Sequence, residues 1–346
     1  MGRCDPARRA GASPVSAQKV LVTGASGMLG RHVATTLRDR GDSVRVLQRR
    51  SAGIDGVEET LGSLTAAEDV RRAVAGMDAV VHVAAKVSIS GPESEFREVN
   101  VGGTQAVLDA MRGEGVARLV NISSPSVAHL GTSIVGLDAT PADPRRARGP
   151  YARTKAAAEQ LAMAADAAGQ LMVTSVRPHI VWGPGDTQLV GRIVDRASRG
   201  RLPLLDEGMA LIDTTYITNA SDAIVAALDR IEDVHGESFV VTNGEPRTVR
   251  DVLGGFCDAA GVARPHRQVP GAVGRFAGRV VERIWEHRPG HDEPPMTEFL
   301  AEQLSTAHWF DQRRTRERLG WSPRVSLDEG FARLADWFAQ NPVPAR

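Results

Sequence analysis

Apolar positions fall into two alternating rhythms between residues 19 and 178. KVLVT (19–23) is a short apolar run of the kind that forms a buried strand. MLGRHVATTLRDRG follows, with Leu29, Val33 and Leu37 at helical spacing and Gly41 as the stop. SVRVL (43–47), DAVVHVAA (78–85), RLVNIS (118–123) and LMVTSVRP (171–178) repeat the strand pattern. Between them, AEDVRRAVAG, EFREVNVGGTQAVLDAMRGEG and the Ala-rich YARTKAAAEQLAMAADAAG (151–169) repeat the helical one. Strands alternating with helices predict an α/β fold, a doubly wound parallel sheet covered on both faces. After Pro178 the elements shorten and Gly, Pro and Arg rise, while LIDTTYI (211–217) and ESFVVT (237–242) read as late strands. The expected organisation is a tail at 1–17, a sheet domain at 18–180 to which 211–243 returns, and a smaller C-terminal substrate lobe from 181–210 and 244–346.

Composition narrows the class. With 346 residues and 42% hydrophobic content the chain can bury a core without staples. Forty-two basic and 42 acidic residues cancel, which speaks against nucleic acid as a partner. Two cysteines, Cys4 and Cys257, exclude a disulfide framework and a cysteine zinc site, and no metal site is expected. The apolar runs are too short to span a membrane, and the first 18 residues lack the apolar core of a secretory signal. The expectation is a soluble, cytoplasmic protein. Only Lys19, Lys86 and Lys155 are lysines, so a lysine inside a chemical motif carries weight.

VTGASGMLG places Gly24, Gly27 and Gly30 directly after a strand and at the opening of a helix. Glycines there permit a tight turn and close approach of the backbone to a pyrophosphate, and a helix N-terminus offers unpaired N–H groups. This predicts a Rossmann-like dinucleotide site. An NAD-binding chain usually carries an acid at the end of the second strand for the ribose 2′-hydroxyl. Here Gln48, Arg49 and Arg50 stand instead, and guanidinium forks favour a phosphate, hence NADP(H) over NAD(H). Tyr151 and Lys155, four apart, share a helical face. An ammonium near a phenol lowers its pKa and suits it to proton transfer. Ser123 and Ser124 end a strand upstream, where a hydroxyl could hold a substrate oxygen.

These motifs, together with HVAA (82–85), EVNVGGT (98–104), NISSPSV (121–127), RPHIVWGPGD (177–186) and DTTYITNASDA (213–223), resemble the extended short-chain dehydrogenase/reductases from Lys19 to about Trp337. That branch includes nucleotide-sugar epimerases and 3β-hydroxysteroid dehydrogenases. The resemblance implies that Ser124 holds the substrate oxygen, Tyr151 is the general acid/base, and Lys155 lowers its pKa and binds the nicotinamide ribose. Asn100 would support a water and cofactor network. It further assigns Ser26, Met28, Leu29, Ser63, Leu64, Ala84, Ala85, Pro178 and Ile180 to the cofactor, and Lys86, His179 and Trp182, with Ser124, to the substrate. Two positions depart from the family pattern: Ser63 replaces an acid that meets the adenine, and Asn219 replaces an aspartate before a late helix. Within the family, SPSVAHLG (124–131), LIDTTYI and FLAEQLSTAHWFD (299–311) resemble the bacterial 2-alkyl-3-oxoalkanoate reductases of olefin biosynthesis and the 3β-hydroxysteroid dehydrogenase-like group. The implied activity is NADPH-dependent reduction of an apolar 3-keto substrate. The alternatives are a 3β-hydroxysteroid dehydrogenase, an epimerase or dehydratase with bound NAD, and a non-catalytic NADP-binding protein. A homodimer is expected.

Other residues carry two readings each. His82 reads as a core or cofactor-lining residue rather than a base. Arg177 and His179 fix a loop or face a substrate carboxylate. Asp186 reads as a cap and Cys257 as inert core. In 271–288, Phe276, Val280, Ile284 and Trp285 recur at helical spacing among arginines. That segment is either a lid helix packing its apolar face on the second lobe, or an amphipathic helix bordering a lipid-like substrate, a membrane surface or a pathway enzyme.

Overall fold

The computed structural model describes residues 17–88, 91–128, 131–167, 169–285 and 297–343. The tail expected at 1–17 and the end of the 271–288 segment lie almost wholly outside them. Seven parallel strands form the central sheet: β1 (Lys19–Thr23), β2 (Ser43–Gln48), β3 (Glu58–Leu61), β4 (Ala79–His82), β5 (Arg118–Ile122), β6 (Met172–Pro178) and β7 (Ser238–Val241), in the order β7-β6-β5-β4-β1-β2-β3. The apolar runs are buried on both faces, as Val20, Leu21, Val22, Val80 and Val81 show with no exposed surface. On one face the helix Met28–Asp39 buries Val33, Ala34 and Leu37 beside Ile224 and Leu228 of the helix Ile217–Asp229. On the other, Val74, Leu108, Met111 and Ala162 cover Leu21 and Val80. Each such aliphatic side chain contributes roughly 1.5–3 kcal/mol when fully buried. Strand order reverses between β1 and β4, and in such sheets the crevice beyond the carboxyl ends at that point is where ligands bind.

The second lobe is assembled from fragments. A four-stranded sheet runs Arg247–Thr248, Leu211–Ile212, His308–Phe310, Ile134–Leu137. Its core centres on Trp182, which stacks on Phe331 at 4.8 Å and meets Phe256 and Tyr216 edge-on. Two expectations change here, and one strand joins the sheet that the apolar pattern did not announce. LIDTTYI is two two-residue strands: Leu211–Ile212 joins the second lobe's sheet and Thr215–Tyr216 pairs with Val181–Trp182, so only the chain from Ile217 onward rejoins the central sheet. EETL, which forms β3, lacks an apolar run, because it is the edge strand and two of its four residues are exposed. The helix Gly271–Trp285 does not pack its apolar face inward. Its glycines do: a Cβ on Gly274 would meet Leu205 at 2.8 Å, and one on Gly278 the backbone of Thr297 at 2.6 Å. Val273, Phe276, Val280 and Ile284 face outward, 42–66% exposed.

Candidate active site

The glycine loop follows β1. Gly24 has φ +79°, and a Cβ there would fall 2.7 Å from the Ala84 Cα. A Cβ on Gly30 would fall 2.4 Å from the Gly24 carbonyl oxygen. Both positions therefore require glycine, the first for its left-handed turn and contact with the loop after β4, the second for packing of the helix on the turn. Gly27 has room for a side chain and forms the N-terminal boundary of the helix Met28–Asp39, with no side-chain cap. The first-turn N–H groups, at Met28, Leu29 and Gly30, thus lack intrahelical acceptors, as a phosphate site requires.

β4 delivers His82, buried and hydrogen-bonded at both ring nitrogens. The Thr104 hydroxyl donates to the Asn100 carbonyl at 2.7 Å, so its oxygen must accept from His82 Nε2 at 3.2 Å. Nδ1 then accepts from the Thr23 hydroxyl at 2.8 Å, and Thr23 Oγ1 accepts the Ala84 N–H at 3.1 Å. Burial, aided by the Lys155 charge, pushes the His82 pKa down to about 3. His82 is a neutral strut between the glycine-loop strand and Asn100, not a base.

Asn100 sits in a π-helical turn, Arg97–Gly102, a local widening often found at functional sites. Its Oδ1 accepts the Lys86 N–H at 2.7 Å, and its Nδ2 donates to Lys86 O at 3.3 Å and to Thr154 Oγ1 at 3.1 Å. It thereby ties the loop after β4 to the helix Gly149–Ala167, which carries Tyr151 and Lys155.

On that helix Lys155 is buried, and its ammonium donates to the Ile122 carbonyl at 2.6 Å. Its other N–H donors have no partner among the described residues. Burial brings its pKa down to about 8, partly opposed by Glu159. Tyr151 is half-buried; burial raises its phenol above the ordinary value, opposed by the nearby Ser124 hydroxyl. Ser124 Oγ in turn accepts from the Ser126 hydroxyl at 2.9 Å. The site thus holds a protonated phenol at neutral pH beside a hydroxyl donor, with an ammonium on the same helix. The adjacent Ser123 hydroxyl is buried without a partner, as a wall awaiting a polar ligand group would be. The glycine cradle, the open helix start, this orphaned hydroxyl and the unspent Lys155 donors all fit a nicotinamide dinucleotide.

The structure places other candidates differently. Ser63 spends its hydroxyl on Thr65 at 2.8 Å, and Leu64 packs against Gly103. Ala85 is part-exposed beside Ala84, and Ser26 is exposed in the glycine loop. Pro178 ends β6 opposite Val241, and Ile180 follows with φ +45°, a strained value for a β-branched residue. The Lys86 ammonium is engaged by Glu95 and lies 5.3 Å from the Phe96 ring, away from a substrate role. Trp182 has no exposed surface and gives its indole N–H to Thr214 at 2.9 Å, so it belongs to the lobe's core rather than to a substrate wall. His179 is buried, with Nδ1 2.7 Å from the Asp213 carbonyl oxygen. Arg177 does not face a substrate: its Nε donates to buried Glu159 at 3.0 Å and its Nη1 to Thr140 O at 2.7 Å. Asp186 caps a turn by accepting from Gln188 and Leu189, and burial raises the Cys257 thiol to about 11. Asn219 bonds the backbone at Val325 and the side chain of Asn243, a structural role. Among the described residues no group of metal-ligating side chains gathers. No described helix is long and apolar enough to cross a membrane.

Glu159 and Thr154 were not read from the sequence. Glu159 stands four residues after Lys155 and eight after Tyr151, so its place on their face was available from spacing alone. Thr154 gave no such signal; its role depends on the π-turn that brings Asn100 to it.

The chain is similar to known proteins. The model of the NAD dependent epimerase/dehydratase family matches residues 20–242. A 2-alkyl-3-oxoalkanoate reductase of Stenotrophomonas maltophilia is 38% identical over 325 residues, covering 91% of this chain and 98% of that protein. A 3 beta-hydroxysteroid dehydrogenase/Delta 5-->4-isomerase of Mycobacterium tuberculosis is 28% identical, covering 92% and 90%. Among solved structures, gox2253 superposes with a TM-score of 0.75 at 27% identity, covering 94% of this chain and 98% of that one. MoeE5 in complex with UDP-glucose and NAD gives 0.72 at 25% identity, covering 93% and 99%. The chain belongs to the NAD dependent epimerase/dehydratase family and is an NAD(P)-dependent oxidoreductase of the extended short-chain dehydrogenase/reductase type.

Proposed function

We propose that the protein reduces an apolar 3-keto substrate with NADPH, and that this substrate is a 2-alkyl-3-oxoalkanoic acid, converted to the 2-alkyl-3-hydroxyalkanoic acid. The observation that carries the reaction is the placing of Tyr151 and buried Lys155 one turn apart on the helix Gly149–Ala167, with the Ser124 hydroxyl close enough to the phenol to lower its pKa against the effect of burial. Bound NADPH supplies the hydride. Ser124 holds the ketone oxygen, and Tyr151 delivers a proton to that oxygen as the carbonyl carbon becomes C–H. Burial keeps the phenol protonated until it is needed. The Lys155 ammonium, present below its pKa of about 8, then stabilises the phenolate left behind.

The choice of substrate rests on similarity to the Stenotrophomonas reductase across nearly its whole length. Exposed apolar side chains agree with it: Val87 follows the cofactor loop after β4 at 72% exposure, and Val135, Leu137 and Leu211 lie open on the second lobe's sheet. NADPH is preferred because Arg49 and Arg50 are exposed at the end of β2 and bond to none of the described residues. The similarity to the Mycobacterium enzyme supports a second reading, in which the same groups oxidise a 3β-hydroxysteroid. The test is NADPH oxidation over a panel of 3-oxo acids, 3-ketosteroids and sugar nucleotides. Turnover of 3-oxo acids is expected; no NADPH oxidation with any ketone, together with conversion of a sugar nucleotide seen by product analysis in the presence of NAD, would replace this reading by an epimerase or dehydratase.

A further inference from the structure

The sequence has no acid at the end of β2, yet the structure brings one there from the neighbouring strand. Glu59 of β3 accepts the Gln48 Nε2 at 3.0 Å, the Ala52 N–H at 2.8 Å and the Gly53 N–H at 3.2 Å with one oxygen, and the Ser51 hydroxyl lies near enough to lower its pKa. These donors run from Gln48 to Gly53, so a single side chain closes the whole loop. They hold the carboxyl below its ordinary range, the Ser51 hydroxyl foremost. A carboxylate has about four acceptor sites. Three donors already fill one oxygen of Glu59, so only the other could take a ribose hydroxyl in the manner of an NAD-binding acid.

Inside this closed loop stand Arg49 and Arg50, exposed and bonded to none of the described residues. An ionised carboxylate on the same loop would ordinarily collect a guanidinium; here uncharged donors occupy it instead. A carboxylate can only accept, so the Gln48 amide must turn its nitrogen to Glu59, and its oxygen is left buried without a partner.

We propose that Glu59 is a positioning residue for cofactor selectivity. It folds Gln48–Gly53 into the shape that offers Arg49 and Arg50 to the 2′-phosphate. The inference rests on the NADP(H) reading above and names the residue through which that selectivity is set.

The test uses the full chain and two probes that differ by one phosphate, adenosine 2′,5′-bisphosphate and 5′-AMP, with affinities measured by calorimetry. The wild type is expected to bind the bisphosphate at least about tenfold more tightly, as charge-assisted bonds to one phosphate provide. In Glu59→Ala the preference should fall to about threefold or less with 5′-AMP affinity little changed, because the loop alone is released. Adding Glu59→Ala to an Arg49→Ala/Arg50→Ala background should weaken bisphosphate binding no further, an outcome that general destabilisation would not produce. Glu59→Met, similar in length and without an oxygen to accept the loop N–H groups, covers the case in which the alanine variant does not fold; the preference should again fall. A folded variant that keeps the wild-type preference, or that loses both probes equally, overturns the role of Glu59. A wild type that does not prefer the bisphosphate overturns the NADP(H) reading and this inference with it.

Discussion

The two ends of the crevice treat their polar groups in opposite ways. At the reactive end Lys155, His82, Asn100 and Arg177 are all buried and bonded to the protein. At the outer end Arg49 and Arg50 are exposed and bonded to no described residue. Burying an unpaired charge costs several kcal/mol, so each interior charge must have a protein partner before any ligand arrives. Groups that wait for a ligand's charge can do so cheaply only in water. Preorganisation belongs to the chemical end and recruitment to the cofactor-selecting end. An arginine's environment, rather than its presence in a motif, therefore decides which role it has. Arg177 and Arg49 look equally available in the sequence.

The comparison is sharpest where the expected effects are largest. Tyr151→Phe should lower kcat by about 10²–10⁴-fold while NADPH affinity stays within a few-fold, because the hydroxyl acts only as the alkoxide forms. Single-turnover kinetics with a fluorescence titration of NADPH would separate the two. Unchanged turnover would remove Tyr151 from the mechanism. Arg177→Ala should destabilise the fold by about 3–5 kcal/mol, since it leaves Glu159 buried without its partner. Urea unfolding measures this, and a loss under ~1 kcal/mol would mean that the interior pair is dispensable.

Arg49→Ala/Arg50→Ala should do the reverse. Stability should move by less than about 0.5 kcal/mol, while NADPH binding weakens by roughly 1.5–3 kcal/mol and NADH binding hardly changes. Equal losses for both cofactors would show that the arginines support the loop rather than read the phosphate.

The smallest effect is a pH limb. Because the Lys155 pKa is lowered to about 8, its ammonium is present below that pH and lost above it. Reductase kcat/KM should hold steady below about pH 8 and fall roughly tenfold per unit above it. Lys155→Arg, charged throughout this range, should be slower and lack the limb. A wild-type profile flat to pH 10 would detach the rate from this ammonium.

Much of the cofactor half was legible because its signals are local. A strand, a glycine turn and a helix follow one another in nine residues, and Tyr151 and Lys155 share a helical face whatever surrounds them. What was missed depends on contacts between distant segments. Glu59 reaches the end of β2 only because β3 lies beside it, with Glu59 opposite Val46. Trp182 looked like a substrate wall by its place in a motif, but Phe256 and Phe331, far along the chain, enclose it. Of the two readings of the helix Gly271–Trp285, the lid with an inward apolar face fails, because the face that packs closely is that of Gly271, Gly274 and Gly278. LIDTTYI looked continuous, but its halves pair with different partners.

The central claim is that this site reduces a long-chain 3-oxo acid with NADPH. It is tested most directly by kcat/KM for a 2-alkyl-3-oxo acid with two long alkyl arms against a 3-ketosteroid, both with NADPH. Each 1.4 kcal/mol of differential transition-state binding is about a factor of ten. The account predicts that the 3-oxo acid is favoured by about tenfold or more; a steroid favoured by the same factor would contradict it.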